Sequence, residues 1–174
     1  MVKTARNERE KEKAGRMPET PEYMDPASEH FDLLSSPMYL MAHVDFQFHE
    51  DLDKVIARLG LSRTQYRLMT VLAHRGKLNI GELSACALLK RSTSSHALVA
   101  MRSKNWVRTT VNASDNRIIE VELSEAGKAL IRRARQSAAL QTRRAMQGLS
   151  GGDLEALTRM LKTIVGNLSK LPIE

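Results

Sequence analysis

The chain has 174 residues, is 42% hydrophobic and 4% aromatic, and carries a net charge of +7. That composition belongs to a globular, helix-rich chain rather than a disordered one, and no apolar run reaches the roughly 18 residues of a membrane span. A single cysteine, Cys86, excludes an internal disulfide, and the polar start MVKTARNEREKEKAG is not a secretory signal, so a reducing cytoplasm is expected.

The charge is unevenly placed. Residues 1–59 hold 8 Lys/Arg against 12 Asp/Glu, residues 60–120 hold 10 against 3, and residues 121–174 hold 9 against 5. The middle third is the basic surface, which suits a polyanion such as nucleic acid, although a merely soluble basic domain would read the same way.

Residues 1–27 are charged, contain Pro18, Pro21 and Pro26, and lack an apolar face, so they read as a flexible arm. A helix is expected after Pro37, with Met41, Val44, Phe48, Leu52, Val55 and Leu59 forming an apolar stripe and Gly60 ending it. Ser62 and Gln65 have capping-box spacing and open a helix carrying Tyr66, Met69 and Leu72, which stops at Gly76. Asn79 and Glu82 repeat the pattern and start a short helix with Ile80, Leu83 and Ala87 inward. After a break near Leu89 and Lys90, the segment RSTSSHALVAMRSK predicts a further helix. Its inner face is Ala97, Leu98 and Met101, and Ser92, Thr93, Ser95 and His96 are its early exposed positions. Asn105 suits the left-handed conformation that closes a helix.

Two strands follow, Trp106–Val111 and Arg117–Leu123, joined by the turn cluster NASDN into a hairpin. Ser124 then caps a long helix bearing Ala126, Leu130, Ala134 and Ala138. Ser150 and Asp153 cap a last helix, in which Leu154, Leu157, Leu161, Ile164, Leu168 and Leu171 alternate steps of three and four. Such a heptad-like seam packs either within the chain or, with the first helix, across a dimer.

The order of helix, helix, short helix, turn, serine-rich helix and hairpin is that of a winged helix-turn-helix. The expected fold class is mainly α with a small β-hairpin wing, the lobe being flanked by N- and C-terminal dimerisation helices. Short polar groups early in the fourth helix can meet base edges and phosphates, and Lys90 and Arg91 stand where the helix dipole also favours phosphate.

The stretches LNIGELSACALLKRSTSSHALVAMRSKNWV and DNRIIEVELSEAG resemble the MarR family of bacterial transcription factors, over about residues 38–170. Asp115, Arg117, Leu123, Ser124 and Gly127 match the wing signature of that family. The resemblance implies a homodimer on a palindromic operator, with 28–60 and 124–174 serving dimerisation and 61–123 binding DNA. Arg117 would enter a minor groove with its guanidinium held by Asp115, Asn116 would flank it, and Lys90, Arg91, Ser92, Thr93, Ser95, His96 and Lys104 would complete the DNA contacts. Lys90, His96, Ala100 and Asn105 depart from residues common in the family, so an operator sequence does not carry over.

The resemblance also implies an effector pocket between the dimer helices and the lobe. By position it would involve His43, Phe46 and Gln47 with Tyr66 and Arg67. That mixture of aromatic and cationic groups suits an aromatic acid or its coenzyme A thioester. The segments LLKRSTSS and PMYL look like members that control catabolism of aromatic acids. The alternatives are a repressor that senses redox through Cys86, otherwise expected to be a buried packing residue, and a constitutive architectural DNA-binding protein. His30, His43 and His49 lack the companions of a metal site, no cofactor is implied, and no catalytic constellation is present.

Overall fold

The computed structural model describes residues 20–112 and 114–170. Residues 1–19 of the expected arm, Ala113 of the turn cluster and Leu171 of the seam lie outside the described residues.

The chain divides into two units, residues 1–47 and 48–174. In the first, two 3-10 turns cover Glu22–Met24 and Leu33–Ser35. The Asp32 carboxylate caps the second by accepting from the Leu34 N–H at 3.0 Å, and the Asp32 N–H donates to the Tyr23 carbonyl at 2.9 Å. Helix α1 (Pro37–Ala57) begins here. Its first turns leave Met38, Leu40, Val44 and Phe46 exposed. Val44, expected on a buried stripe, is 64% exposed, because within this chain the stripe is covered only further along, at Leu52 and Ile56.

The second unit holds the core. Helix α2 (Arg63–Arg75) starts at a complete capping box: Ser62 Oγ accepts from the Gln65 N–H, and Gln65 Oε1 accepts from the Ser62 N–H at 3.0 Å. Asn79 and Glu82 build the same device at the start of α3 (Ile80–Cys86). Both boxes satisfy N–H groups that a helix start leaves without partners. Helix α4 (Arg91–Ser103) follows a four-residue turn. Leu68, Met69, Leu72, Leu83, Leu98 and Met101 bring these helices together in one buried cluster.

A three-stranded antiparallel sheet in the order β1-β3-β2 closes one side, with β1 at Leu78–Asn79, β2 at Val107–Val111 and β3 at Ile119–Leu123. The hairpin pairs Val107 with Leu123 and Val111 with Ile119. Val121 and Leu123 face the core, whereas Ile119, near the tip, is exposed. Strand β1 was not expected, since its two residues carry no alternation to detect.

Helix α5 (Glu125–Ala145) buries Gly127, Ile131, Ala134 and Ala138. Ala126, expected inward, is exposed; it sits one residue, about 100° of helix, from the true stripe. Helix α6 (Gly151–Lys170) is opened by Ser150, whose Oγ and N–H both donate to the Asp153 carboxylate, at 2.6 and 2.9 Å. The accepted bonds hold the Asp153 carboxyl below its usual range. Among its described side chains α6 buries none, and Met160, Val165 and Leu168 stay exposed. No helix among the described residues is long and apolar enough to cross a membrane.

Candidate nucleic-acid interface

Helix α4 is anchored by its inner face and leaves its first turns open. Ser94 is fully buried and Leu98 and Met101 lie under it, while Arg91, Ser92, Thr93 and His96 are exposed. None of these four makes a side-chain bond within the described residues. The Ser95 hydroxyl donates back to the Arg91 carbonyl at 2.9 Å, so only its lone pairs remain for a partner. Lys90 occupies the N-cap without a side-chain cap bond, leaving its ammonium and the first N–H groups of the helix available to an anion.

The turn into α4 contains Leu88, with φ +55° and a side chain 79% exposed. On the preceding helix Cys86 is exposed rather than buried. The buried stripe of α3 runs through Leu83, Ser84 and Ala87, and Cys86 lies about 100° round the helix from its centre.

The wing tip is fixed by side chains. Asn112 Oδ1 accepts from the N–H groups of Ser114 and Asp115 at 2.8 and 3.1 Å, and its amide donates to Glu120 at 2.9 Å. Asp115 Oδ1 accepts from the Arg117 N–H at 2.9 Å, while the Arg117 Nε stands 3.9 Å away. The aspartate therefore fixes the backbone of Arg117 first and its guanidinium only loosely. Arg117 itself is exposed over 95% of its side chain, and Asn116 is exposed beside it. Lower on the ribbon, Lys77 pairs with Glu120 at 2.8 Å and Arg108 with Glu122 at 2.9 Å. The Lys77 bond, then that of Asn112, holds the Glu120 carboxyl below its usual range.

Helix and wing are joined through residues 105–106. Asn105 takes φ +55°, as expected of a left-handed helix end, and the Trp106 N–H donates to the Met101 carbonyl. Ser124 Oγ donates to the Asn105 carbonyl at 2.5 Å and accepts from the Gly127 N–H at 3.0 Å, and the Ser124 N–H donates to the Trp106 carbonyl at 3.0 Å. A Cβ on Gly127 would overlap the Trp106 carbonyl oxygen and meet its carbon at 2.9 Å. The Leu-Ser-x-x-Gly stretch thus locks the wing's return strand and α5 to the end of α4. Lys104 extends over the Trp106 ring, 4.5 Å from its centre, which stiffens its base.

Among the expected DNA contacts, Lys90, Arg91, Ser92, Thr93 and His96 form one exposed edge with Ser95 half-buried beside them, and Asp115 to Arg117 form the hairpin tip of the same unit. Sequence reasoning missed Arg102, an exposed cation on the last turn of α4, because attention to the start of the helix passed over its end. It also missed Asn112, whose signal was an asparagine entering a turn. Of the residues expected at an effector pocket, His43, Phe46 and Gln47 are exposed in the first unit, and Tyr66 and Arg67 are half-buried in the second. Among the described residues no group of three or more His, Cys, Asp or Glu could hold a metal ion.

Residues 59–118 match the model of the MarR family. The HTH-type transcriptional repressor IacR of Pseudomonas putida is 27% identical over 147 residues, which are 84% of this chain and 88% of that protein. A MarR family transcriptional regulator from Silicibacter pomeroyi superimposes with a TM-score of 0.74 at 28% identity, covering 82% of this chain and 96% of its own. Sco3205, a MarR family regulator from Streptomyces coelicolor solved in complex with DNA, shares the fold with a TM-score of 0.68 at 24% identity, over 75% of this chain and 84% of its own.

Proposed function

We propose that this chain is a homodimeric transcriptional repressor of the MarR family that binds a palindromic operator. The observation that carries the reading is the pairing of two exposed polar edges in one rigid lobe. One is the start of α4 with Lys90, Arg91, Ser92, Thr93, Ser95 and His96; the other is the wing tip, with Arg117 fully presented by Asp115. A helix start fits a major groove and a hairpin arginine a flanking minor groove. Exposed apolar side chains on α6, Met160, Val165 and Leu168, support a dimer, as do separately those on the first turns of α1, Met38, Leu40, Val44 and Phe46, since an oligomer interface buries such groups. Selection of bound sequences from random duplex DNA tests the reading. An inverted repeat is expected, whereas a collection without consensus would leave an architectural protein.

The effector in this reading is a small aromatic acid or its coenzyme A thioester. The residue types at His43, Phe46, Gln47, Tyr66 and Arg67 support it, since aromatic faces gain apolar burial and a guanidinium binds the acid. Release of operator follows if the ligand prefers the DNA-incompetent dimer, and affinity for DNA then falls by that preference ratio. Titration with hydroxycinnamates, benzoates and their thioesters, with operator release read in parallel, tests this arm. Failure of the whole panel, while another metabolite releases DNA, would remove the aromatic effector and leave the repressor.

A second reading is favoured by one observation, the exposure of Cys86 on the first helix of the DNA-binding motif. There a peroxide could oxidise the thiolate to a sulfenic acid, giving up hydroxide, next to the DNA-contacting edge. Cys86→Ser would abolish a peroxide response if this were the sensor and leave ligand release untouched.

A further inference from the structure

We propose that Val99, on the exposed face of α4, packs against the 5-methyl group of a thymine in the major groove and so helps to select the operator, a role that rests on the DNA-binding reading above.

Seen down its axis, α4 has two opposite faces. Ser94, Leu98 and Met101 are buried in the lobe. Ser92, His96, Val99 and Ser103 are exposed on the other side, within about 60° of one another at roughly 100° per residue. Val99 is 62% exposed, and among the described residues no other large apolar side chain of α4 is exposed. A lone exposed valine is ordinary on a protein surface. This one stands in the middle of the face that a major groove would receive, one turn beyond His96 and two beyond Ser92.

The cations of the helix lie around that face and not on it. Arg91 and Arg102 project from one flank, about 90–110° round the helix from the middle of the face, and Lys90 and Lys104 stand at its two ends. Such a placement suits the phosphates along the groove and leaves the middle of the face to the base edges. Ser95 and Ser103 lie one turn before and one turn after Val99. Their hydroxyls donate to the Arg91 and Ala100 carbonyls, each at 2.9 Å, so they offer a base only lone pairs. The two methyl groups of Val99 match the one apolar group that a base pair presents in the major groove, the thymine methyl. Cytosine lacks that group, so the contact discriminates between pyrimidines at one position without a hydrogen bond.

The test uses the operator selected with the wild-type chain. Each thymine of one half-site, on either strand, is replaced in turn by deoxyuridine, which keeps the base pairing and removes only the methyl group. Affinities are measured for the full wild-type chain and for Val99→Ala, an exposed helical substitution whose fold circular dichroism verifies. The wild type is expected to lose about three- to fivefold at one thymine, the effect of withdrawing one methyl group from an apolar contact. Val99→Ala should bind the unmodified operator at least that much more weakly and lose nothing further at the same thymine, since both changes remove one contact. At the other thymines the two proteins should respond alike. Equal losses in both proteins at every thymine, or wild-type affinity in Val99→Ala, would overturn the role of Val99 and leave operator binding standing. Failure of the wild-type chain to select any sequence would overturn both.

Discussion

Arg117 and Asp115 show how little a side chain needs in order to present a cation. The aspartate spends its good hydrogen bond on the Arg117 backbone N–H and leaves the guanidinium 3.9 Å away, where an exposed pair contributes little to stability. Arg117→Ala is therefore expected to leave the fold intact and to weaken operator binding by roughly 1–3 kcal/mol, the size of one good DNA contact. Asp115→Ala should cost less, because the turn retains its Asn112 bonds. Fluorescence anisotropy on a selected operator separates the two, and wild-type affinity in the Arg117 variant would remove the wing from the mechanism. Leu88 makes the opposite case. A leucine at φ +55° carries a left-handed penalty of about 1 kcal/mol, and with its side chain in solvent it recovers little by burial. Leu88→Gly should raise stability by up to about 1 kcal/mol in chemical denaturation; a clear loss would mean that the exposed side chain contributes packing after all.

At the scale of elements, the junction between α4, the wing and α5 depends on one missing atom. Gly127 passes so close to the Trp106 carbonyl that even a methyl group overlaps it, and both partners are backbone, so neither can rotate away. Gly127→Ala should destabilise the chain by about 1–3 kcal/mol, as overpacking does, and a melting temperature equal to wild type would contradict this close approach. Much of this level was legible in the sequence. Both capping boxes, the turn at Asn105 and the cap at Ser124 are local chemistry, complete within four residues. What was not legible depended on neighbours distant in the chain. Strand β1 exists because Leu78 and Asn79 meet Val121 and Glu120, and two residues have no periodicity of their own. Cys86 and Ala126 were placed one position off because an apolar residue beside a stripe looks the same in sequence as one on it. The buried Ser94 went unnoticed, since polarity alone marks a serine as surface; its hydroxyl is satisfied by the Lys90 carbonyl at 3.3 Å.

For the whole molecule, the proposed two-fold dimer would double the charge that faces DNA. A dimer of two 19.5 kDa chains would present Lys90, Arg91, Lys104 and Arg117 twice and would contact roughly 6–10 phosphates. Each contact releases counterions, so operator affinity should fall about 10³–10⁵-fold between 50 and 200 mM salt. The four cations are not equivalent. Arg91 has no carboxylate partner among the described residues, whereas Lys104 is already drawn over the Trp106 ring and gives up part of that contact to reach a phosphate. Arg91→Ala removes two free charges per dimer and should reduce the slope of log affinity against log salt by about 2, while Lys104→Ala should reduce it by less. Equilibrium sedimentation at the same protein concentrations, showing twice the mass of one chain, is the condition for doubling the count. A slope that changes by about 1 in a proven dimer would mean that only one lobe reaches the DNA, and an affinity nearly independent of salt would contradict phosphate contact altogether.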